Sequence, residues 1–242
     1  MYRFILSNKS LRWIFVYIFI SFPGTIFSHE KNFNEKIESF LLNNPKVILK
    51  SLENLEIREA KNKEDEIKKT LVKNLPNIIK PYANTFSGNE NSKKIIVEFL
   101  DYNCGYCKKA HQEVRELLND LSDLKVVYIN LPILSDRSKE LAKLSMAVSE
   151  TNMKNFNEFH NFLLNSKRIP NDDQIKNFLS NIKLDYKQIK IASDSKKINK
   201  TLENDFLLAR ELGIQGTPAF IINNEIIPGY VGKKIMTKLI AD

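Results

Sequence analysis

The chain has 242 residues, which is enough for one domain with an extension or for two small domains. Hydrophobic residues make up 43% and charged residues 27%, a globular composition that excludes a generally disordered chain. The net charge is +8, but basic and acidic residues are interleaved, which argues against nucleic acid as a partner.

Residues 1–28 have the pattern of an export signal. Positive charge comes first, from three basic residues: Arg3, Lys9 and Arg12. The uncharged stretch Trp13–Ser28 follows and is 16 residues long, whereas a membrane-spanning helix needs roughly 20. We therefore predict a signal peptide cleaved near Ser28 and a location in the periplasm or cell envelope. An uncleaved membrane anchor and a buried helix are the alternatives.

Residues 29–85 are predicted to form a helical extension of two helices, separated at Asn44-Pro45. Apolar residues recur there at helical spacing in three groups: Phe33, Ile37, Phe40 and Leu41; Ile48, Leu52 and Leu55; and Ile67, Leu71, Leu75 and Ile78. Pro76 should kink or end the second helix. Because such stripes need a partner surface, we predict a homo-oligomer formed through residues 29–85, with a solvated arm that caps its own domain as the alternative.

Residues 86–242 are predicted to form an α/β domain. The expected elements are a polar loop at 86–94, strands at 95–100, 125–131, 219–222 and 225–228, and helices at 108–121, 138–211 and 233–240. This order gives a βαβ unit and a ββα unit, separated by a helical insertion at about 138–205. Its four phenylalanines are expected in the core: Phe156, Phe159, Phe162 and Phe178.

The chain contains only two cysteines, Cys104 and Cys107, and they stand where the first helix of this domain should begin. A disulfide that closes so short a loop adds little stability, so the pair points to redox chemistry. Amide groups at a helix N-terminus stabilise a thiolate, and Lys108 and Lys109 add positive charge nearby. We predict that Cys104 is the exposed nucleophile and Cys107 the buried resolving thiol.

A zinc site is the alternative for the cysteine pair, because His111 completes a Cys-x2-Cys-x3-His pattern. A structural zinc site needs four ligands, and the other histidines are His29 and His160. We therefore predict that no metal and no organic cofactor is bound, and that His111 is a polar residue of the helix.

Glu98 lies in the middle of the first predicted strand, six residues before Cys104. A carboxyl group half-buried beneath the cysteine pair would have a raised pKa and could take the proton from Cys107. The alternative is a glutamate that faces solvent from an edge strand.

The segment Gly216-Thr217-Pro218-Ala219 directly precedes a predicted strand. Proline is tolerated at the first position of a strand, and we expect the Thr217–Pro218 bond to be cis. The backbone of Thr217 would then lie beside the cysteine pair, where it could pair with an extended substrate.

Three stretches resemble the DsbA family, and most of all its branch that contains ScsC and related outer-membrane-protein-like sequences. They are Val97–Ala110 with Cys104-Gly105-Tyr106-Cys107, Leu131–Leu134, and Gly213–Phe220. The resemblance covers about residues 86–242, and less specifically the extension. It implies a thioredoxin-like fold with a helical insertion, catalytic Cys104 and Cys107, a buried acid at Glu98 and a cis proline at Pro218.

The resemblance leaves the direction of the reaction open. Gly105 and Tyr106, and Thr217 before Pro218, are similar to the isomerases DsbC and DsbG, whereas DsbA itself carries Pro-His and Val. These four residues are the predicted substrate-binding residues. The sequence thus predicts an exported oxidoreductase that oxidises or isomerises disulfides of exported proteins and is served by a membrane redox partner. A dedicated thiol reductase and an envelope binding protein with a vestigial redox pair are the alternatives.

Overall fold

The computed structural model describes residues 26–82 and 85–241, without the side chains of residues 26–31 and Asn74. Most of the predicted export signal, residues 1–25, therefore lies outside the described residues, as does its proposed cleavage side chain, Ser28. The chain divides into two compact units, one up to Glu64 and one from Asp65 onward. Across the described ranges, no helix is both long enough and apolar enough to cross a membrane.

The first unit contains helix α1 (Ile26–Asn43) and the beginning of helix α2 (Pro45–Ile79). The predicted break at Asn44-Pro45 is confirmed. Pro45 occupies the first position of α2, where its missing N–H group leaves no hydrogen bond unmade. Ten large apolar side chains here are 41 to 73% exposed, and we call them the arm stripe: Phe33, Ile37, Phe40, Leu42, Val47, Ile48, Leu49, Leu52, Leu55 and Ile57.

The second unit begins inside α2 and includes a 3-10 turn at Lys80–Tyr82. Pro76 does not end α2 at once, because the helix continues to Ile79. Leu71 is fully buried in a core cluster, and partly buried residues of the same helix pack beside it: Ile67, Leu75, Ile78 and Ile79. The third predicted apolar group therefore packs on its own domain.

The second unit contains a five-stranded sheet in the order β1-β3-β2-β4-β5. The strands are β1 (Phe86–Gly88), β2 (Ile95–Leu100), β3 (Lys125–Asn130), β4 (Ala219–Ile222) and β5 (Glu225–Pro228). Only β2 and β3 are parallel; the other neighbours are antiparallel. The sheet confirms the predicted α/β thioredoxin-like fold and makes β2 its central strand.

The predicted loop at 86–94 is wrong at its start, because residues 86–88 form the edge strand β1. Phe86 is buried and pairs with Val127, which anchors this short polar segment to β3. Gly88 ends the strand with φ +91°, and a Cβ atom there would lie 2.2 Å from the Leu124 carbonyl oxygen. Only glycine fits this approach without rearrangement.

Seven helices complete the described part of the second unit. They are α3 (Gly105–Asp120), α4 (Asp136–Ser149), α5 (Met153–Asn165), α6 (Asp172–Asn181), α7 (Tyr186–Ser193), α8 (Lys196–Glu211) and α9 (Lys233–Ala241). Helices α4 to α8 form the predicted insertion between β3 and β4, and a side-chain N-cap opens each of them: Ser135, Asn152, Asn171, Asp185 and Ser195.

Alternate residues of β2 belong to different core clusters. Ile96 and Leu100 pack with α3, α4 and α5, whereas Val97 and Phe99 pack with Leu71 of α2. The insertion phenylalanines are core residues as predicted, with two fully buried (Phe156 and Phe159) and two partly buried (Phe162 and Phe178). Because strand residues alternate between faces, Glu98 shares the α3 face of the sheet with Ile96 and Leu100.

Candidate active site

The two cysteines are free thiols at the N-terminus of α3. Cys104 is the N-cap residue, and its Sγ accepts a hydrogen bond from the Cys107 backbone N–H at 3.4 Å. The Cys104 side chain is only 7% exposed, less than the exposed nucleophile that the sequence predicted, and Cys107 is fully buried. The order of exposure is nevertheless the predicted one.

Asp101 fixes the backbone on which the cysteine pair stands. Its carbonyl oxygen accepts from the Cys104 N–H at 2.9 Å. Its carboxylate accepts from the Asn103 N–H at 2.7 Å and, through the other oxygen, from the Leu134 N–H at 3.0 Å. One buried side chain thus joins the end of β2, the start of α3 and the segment before α4.

The two thiols have opposite acidities. Hydrogen bonding, first from the Cys107 side chain and then from the Cys107 and Tyr106 backbones, lowers the pKa of Cys104 to about 6 despite partial burial. Burial raises the pKa of Cys107, and the hydrogen bond with Cys104 and the nearby Glu98 charge raise it further. At neutral pH, Cys104 is therefore the sulfur in thiolate form and Cys107 is the protonated one.

Lys108 and Lys109 were predicted to favour the Cys104 thiolate, but each ammonium group has another partner. Lys108 Nζ donates to the Ser166 carbonyl oxygen at 2.7 Å. Lys109 Nζ lies 4.3 Å from the centre of the Tyr230 ring. Neither lysine is among the groups that lower the pKa of Cys104, and the stabilisation of the thiolate comes from hydrogen bonds at the start of α3.

Glu98 is fully buried, not half-buried as predicted. It stands on the central strand between Tyr128 of β3 and Phe220 of β4, so the solvent-facing alternative is wrong. Neither carboxyl oxygen has a hydrogen-bond partner among the described residues. Burial, and then the charge of Cys104, raise the pKa of Glu98 to about 8.

The Thr217–Pro218 bond is cis, as predicted. The Cys104 Sγ lies 3.3 Å from the Thr217 carbonyl oxygen, in a contact that the protonated thiol can donate. The fold therefore brings together two motifs that stand 113 residues apart in the sequence.

Gly105 and Tyr106 begin α3 between the two cysteines. Gly105 has no atom within 4 Å of the position where a Cβ would lie, so the surface beside the sulfurs is open there. The Tyr106 side chain is 65% exposed, and its ring centre lies 6.3 Å from that of Tyr230. No local sequence pattern indicated Tyr230, which follows β5 and reaches the site only through the fold.

A buried polar cluster next to α3 was also not predicted from the sequence. The Tyr102 hydroxyl lies 2.7 Å from Ser145 Oγ and 3.0 Å from His160 Nδ1. His111, predicted as a polar residue of the helix, is buried, and its ring centre is 5.2 Å from that of His160. Burial lowers the pKa of both histidines, to about 4 for His111. Within the described part of the chain, no three metal-ligating residues are grouped to hold an ion.

A helix that begins at a Cys-x2-Cys pair, a central strand beneath it and the Thr217 carbonyl oxygen 3.3 Å from the first sulfur define a protein of the thioredoxin fold with a redox-type site. Residues 95–240, more than half of the chain, match the DSBA-like thioredoxin domain. The chain belongs to the DSBA-like thioredoxin domain family.

Known proteins of this group are similar to the chain over most of its second unit. The thiol-disulfide exchange protein alpha-DsbA2 from Wolbachia pipientis is 30% identical with a TM-score of 0.66, over 74% of this chain and 96% of that one. The catalytic domain of Proteus mirabilis ScsC is 26% identical with a TM-score of 0.61, over 72% and 99%.

Among curated proteins, the chain is 28% identical over 147 residues to the thiol:disulfide interchange protein DsbC of Salmonella typhimurium. That match covers 60% of this chain and 50% of DsbC. The chain spans 22% of the length of other curated relatives, which are Na(+)/H(+) antiporters of two Salinispora species. The similarity therefore belongs to the thioredoxin-like domain.

Proposed function

We propose that the protein is an exported thiol–disulfide oxidoreductase whose redox pair is Cys104 and Cys107. The observation that carries this proposal is the placement of two sulfurs on one helical turn, where Cys104 Sγ lies 3.4 Å from the Cys107 backbone nitrogen and Cys107 is fully buried. This arrangement fits a pKa of about 6 for Cys104 and a raised pKa for Cys107. Disulfide exchange requires a thiolate that attacks first and a protonated thiol that attacks second. The electrons reside in the sulfur pair, so the proposal includes no metal and no organic cofactor.

In the reducing direction, the Cys104 thiolate attacks one sulfur of a client disulfide. A Cys104–client disulfide forms, and the other client sulfur leaves as a thiolate that takes up a proton. Cys107 then loses its proton and attacks the Cys104 sulfur, which forms the Cys104–Cys107 disulfide and releases the second client sulfur. The client gains two electrons and two protons, and the reverse sequence oxidises a client dithiol.

Glu98 is proposed to exchange the proton of Cys107. With a pKa of about 8, its carboxyl group is neutral over most of the neutral range and close to the acidity that proton transfer needs there. It lacks a hydrogen-bond partner among the described residues, so no competing bond holds its proton. When Cys107 attacks, Glu98 in its carboxylate form accepts the proton, and when the disulfide opens, neutral Glu98 returns one.

Among the reaction types, we favour isomerisation of disulfides in exported proteins, with oxidation as the second activity. In isomerisation a thiolate of the client itself displaces Cys104, so no net electrons are transferred. The Gly105-Tyr106 pair, Thr217 before Pro218 and the similarity to DsbC support this choice. The charged and then apolar N-terminus supports export to the periplasm or envelope, where a membrane redox partner would restore the working oxidation state.

Trapping of mixed disulfides tests this function. In a Cys107→Ala variant, Cys104 can still attack a client, but no second thiol resolves the product. We expect covalent adducts with exported proteins that a reducing agent releases, and none in a Cys104→Ser, Cys107→Ala control. Absence of adducts in the single variant would contradict the proposal.

We also propose that the arm stripe joins copies of this chain. Ten large apolar side chains of the first unit are 41 to 73% exposed, and large exposed apolar regions mark interaction sites. Residues Phe33, Ile37 and Phe40 recur at helical spacing, which places them on one side of α1. An assembly would present several Cys104 sites to one client, which suits isomerisation.

A matched pair of variants on α1 tests this assembly. Phe40→Lys puts a charge into the stripe, whereas Ser39→Lys puts the same charge on the adjacent polar side of the helix. By light scattering, we expect the parent chain and Ser39→Lys to be larger than a monomer and Phe40→Lys to dissociate towards one. A monomeric parent chain would refute the role proposed for the arm stripe.

A further inference from the structure

Tyr230 lies beside the redox pair although it is remote from it in sequence. The residue stands between β5 and α9, and its side chain packs partly against the core next to Val231. Its ring centre is 6.3 Å from that of Tyr106, with 32° between the two ring planes. Two aromatic rings therefore adjoin at the surface next to Cys104.

Glu113 of α3 holds Tyr230 in this position. One of its carboxylate oxygens accepts from the Tyr230 hydroxyl at 2.8 Å, and the other accepts from the Lys233 backbone N–H at 3.0 Å. That amide belongs to the first residue of α9, so the carboxylate also lies at a helix N-terminus, where negative charge is favoured. The hydrogen bonds to Lys233 and Tyr230 lower the pKa of Glu113, which keeps it ionised as an acceptor.

Two further contacts fix this part of the surface. The Lys109 ammonium group lies 4.3 Å from the centre of the Tyr230 ring, at a distance typical of a cation–π contact. The Lys233 side chain pairs with Asp120 at 2.6 Å and with Glu116 at 3.4 Å on α3. The start of α9 and the preceding segment are thus tied to the helix that carries the cysteines, and Tyr230 keeps a defined place relative to Tyr106.

We propose that Tyr106 and Tyr230 form one aromatic surface that binds a large apolar side chain, preferably an aromatic one, next to the reacting cysteine of an extended client. The Tyr106 side chain is 65% exposed, so its ring has free surface against which a client side chain can pack. A third ring can pack against the tilted pair by its edge or in an offset stack, and such aromatic contacts add affinity beyond buried area. The cationic Lys109 at the same place disfavours clients with a basic residue there.

Tyr230 is therefore a specificity-determining residue, and Glu113 is the residue that positions it. The inference rests on the proposed function, because it concerns how clients of that thiol chemistry are chosen. It adds a binding element outside the cysteine motif and outside the Thr217–Pro218 segment. It also gives α9 a part in client recognition.

The test uses the full-length reduced protein and two octapeptides, each with one cysteine joined to glutathione. The peptides differ only in the neighbour of that cysteine, which is phenylalanine or alanine. Single-turnover rates at increasing peptide concentration, measured by acid quenching and chromatography, give a half-saturating concentration and a limiting rate. Reduction of bis(2-hydroxyethyl) disulfide, which has no side chain to bind, normalises the thiol reactivity of each variant.

We expect the parent chain to prefer the phenylalanine peptide. In Tyr230→Ala, the half-saturating concentration for that peptide should rise about three- to tenfold, the range of one aromatic contact, while the value for the alanine peptide changes by less than about twofold. Tyr230→Phe keeps the ring but loses the hydrogen bond to Glu113, so it should keep only part of the preference. Ile191→Ala, which removes a 77% exposed apolar side chain elsewhere on the surface, should match the parent chain.

Two results would overturn the inference: no preference in the parent chain, or an equal loss for both peptides in Tyr230→Ala. Full preference in Tyr230→Phe would remove Glu113 from the positioning role, because the ring would then not need that hydrogen bond. If the parent chain reduced neither the peptides nor the small disulfide, the proposed thiol chemistry itself would fail. That outcome is separate from the others, because they all require an active redox pair.

Discussion

Two regions of the second unit each bury a carboxyl group, and these two groups differ in their hydrogen bonding. Asp205 of α8 accepts a hydrogen bond from the Tyr82 hydroxyl through Oδ1, whereas Glu98 beneath the cysteines has no partner for either oxygen among the described residues. Burial raises the pKa of both, to about 7 and about 8. A buried acid that ties two elements together serves the fold. One that is buried without a partner, next to a redox pair, is available for proton transfer.

The largest difference between the two regions should appear in activity. Cys104→Ser replaces the thiolate by a hydroxyl group that does not ionise near neutral pH, so reduction of insulin should be abolished. Tyr82→Phe, in the Asp205 region, should leave insulin reduction close to that of the parent chain. Residual reduction by Cys104→Ser above the uncatalysed rate would remove Cys104 from the nucleophilic role.

The next difference should appear in the rate of proton transfer. Glu98→Gln keeps the size of the side chain but cannot take the proton of Cys107, so the disulfide-exchange rate should fall about 10²-fold near pH 7. Asp205→Asn is the matched control, because it makes the same change at the other buried carboxyl group and should alter the rate by less than about twofold. Equal rates for Glu98→Gln and the parent chain would exclude the proton-transfer role.

A third difference concerns the dependence of stability on pH. Between the ordinary carboxyl pKa of 4.5 and the folded pKa of about 8, folded Glu98 keeps a proton that the unfolded chain has released. The contribution of Glu98 to the free energy of unfolding is therefore fully present below pH 4.5. It is lost as the pH rises to 8, by about 1.4 kcal/mol per pH unit.

Urea unfolding of the reduced protein at several pH values measures this slope. The slope should appear in the difference between the unfolding free energies of the parent chain and Glu98→Gln, because the glutamine amide does not titrate. Asp205→Asn should remove a similar slope in a lower window, from 3.8 to about 7. Parallel curves for the parent chain and Glu98→Gln would mean that Glu98 is ionised in the folded state.

The smallest expected effect belongs to the hydrogen bond between Tyr82 and Asp205. Tyr82→Phe leaves a buried acceptor without its donor, so the free energy of unfolding should fall by about 1–3 kcal/mol. Thermal or urea unfolding of this variant and the parent chain at one pH measures the loss. An unchanged stability would show that Asp205 does not anchor the 3-10 turn at Lys80–Tyr82.

Much of the fold could be predicted because its elements have strong local signals. The run of apolar residues at 95–100 and the helical spacing after Cys107 are found as β2 and α3. The hairpin between β4 and β5 follows from Asn223 and Asn224, which both adopt positive φ angles. Strand β1 was not predicted because a three-residue segment with a serine and a glycine is too short to show alternating hydrophobicity. Its conformation depends on pairing with β3.

The cysteine pair and Pro218 were predictable from spacing, but the surroundings of the site were not. The depth of Glu98 depends on which strands flank β2, and that is a property of the sheet order. Tyr230 and Glu113 meet across 117 positions of the chain, so no local pattern could join them. The same limit applies to the apolar groups of α2, since Leu71 is buried by tertiary packing while Leu52 remains 52% exposed.

The anchoring of the site by Asp101 has a consequence for the entropy of binding. Its carboxylate already holds the Leu134 backbone, so the exposed side chains Ile133 and Leu134 stand on a segment that is ordered before any client arrives. The entropy lost when a loop becomes ordered at an interface opposes association, and this segment is already ordered in the folded protein. A client that packs against these side chains therefore keeps more of its contact energy as affinity, and it meets a surface whose shape is already set.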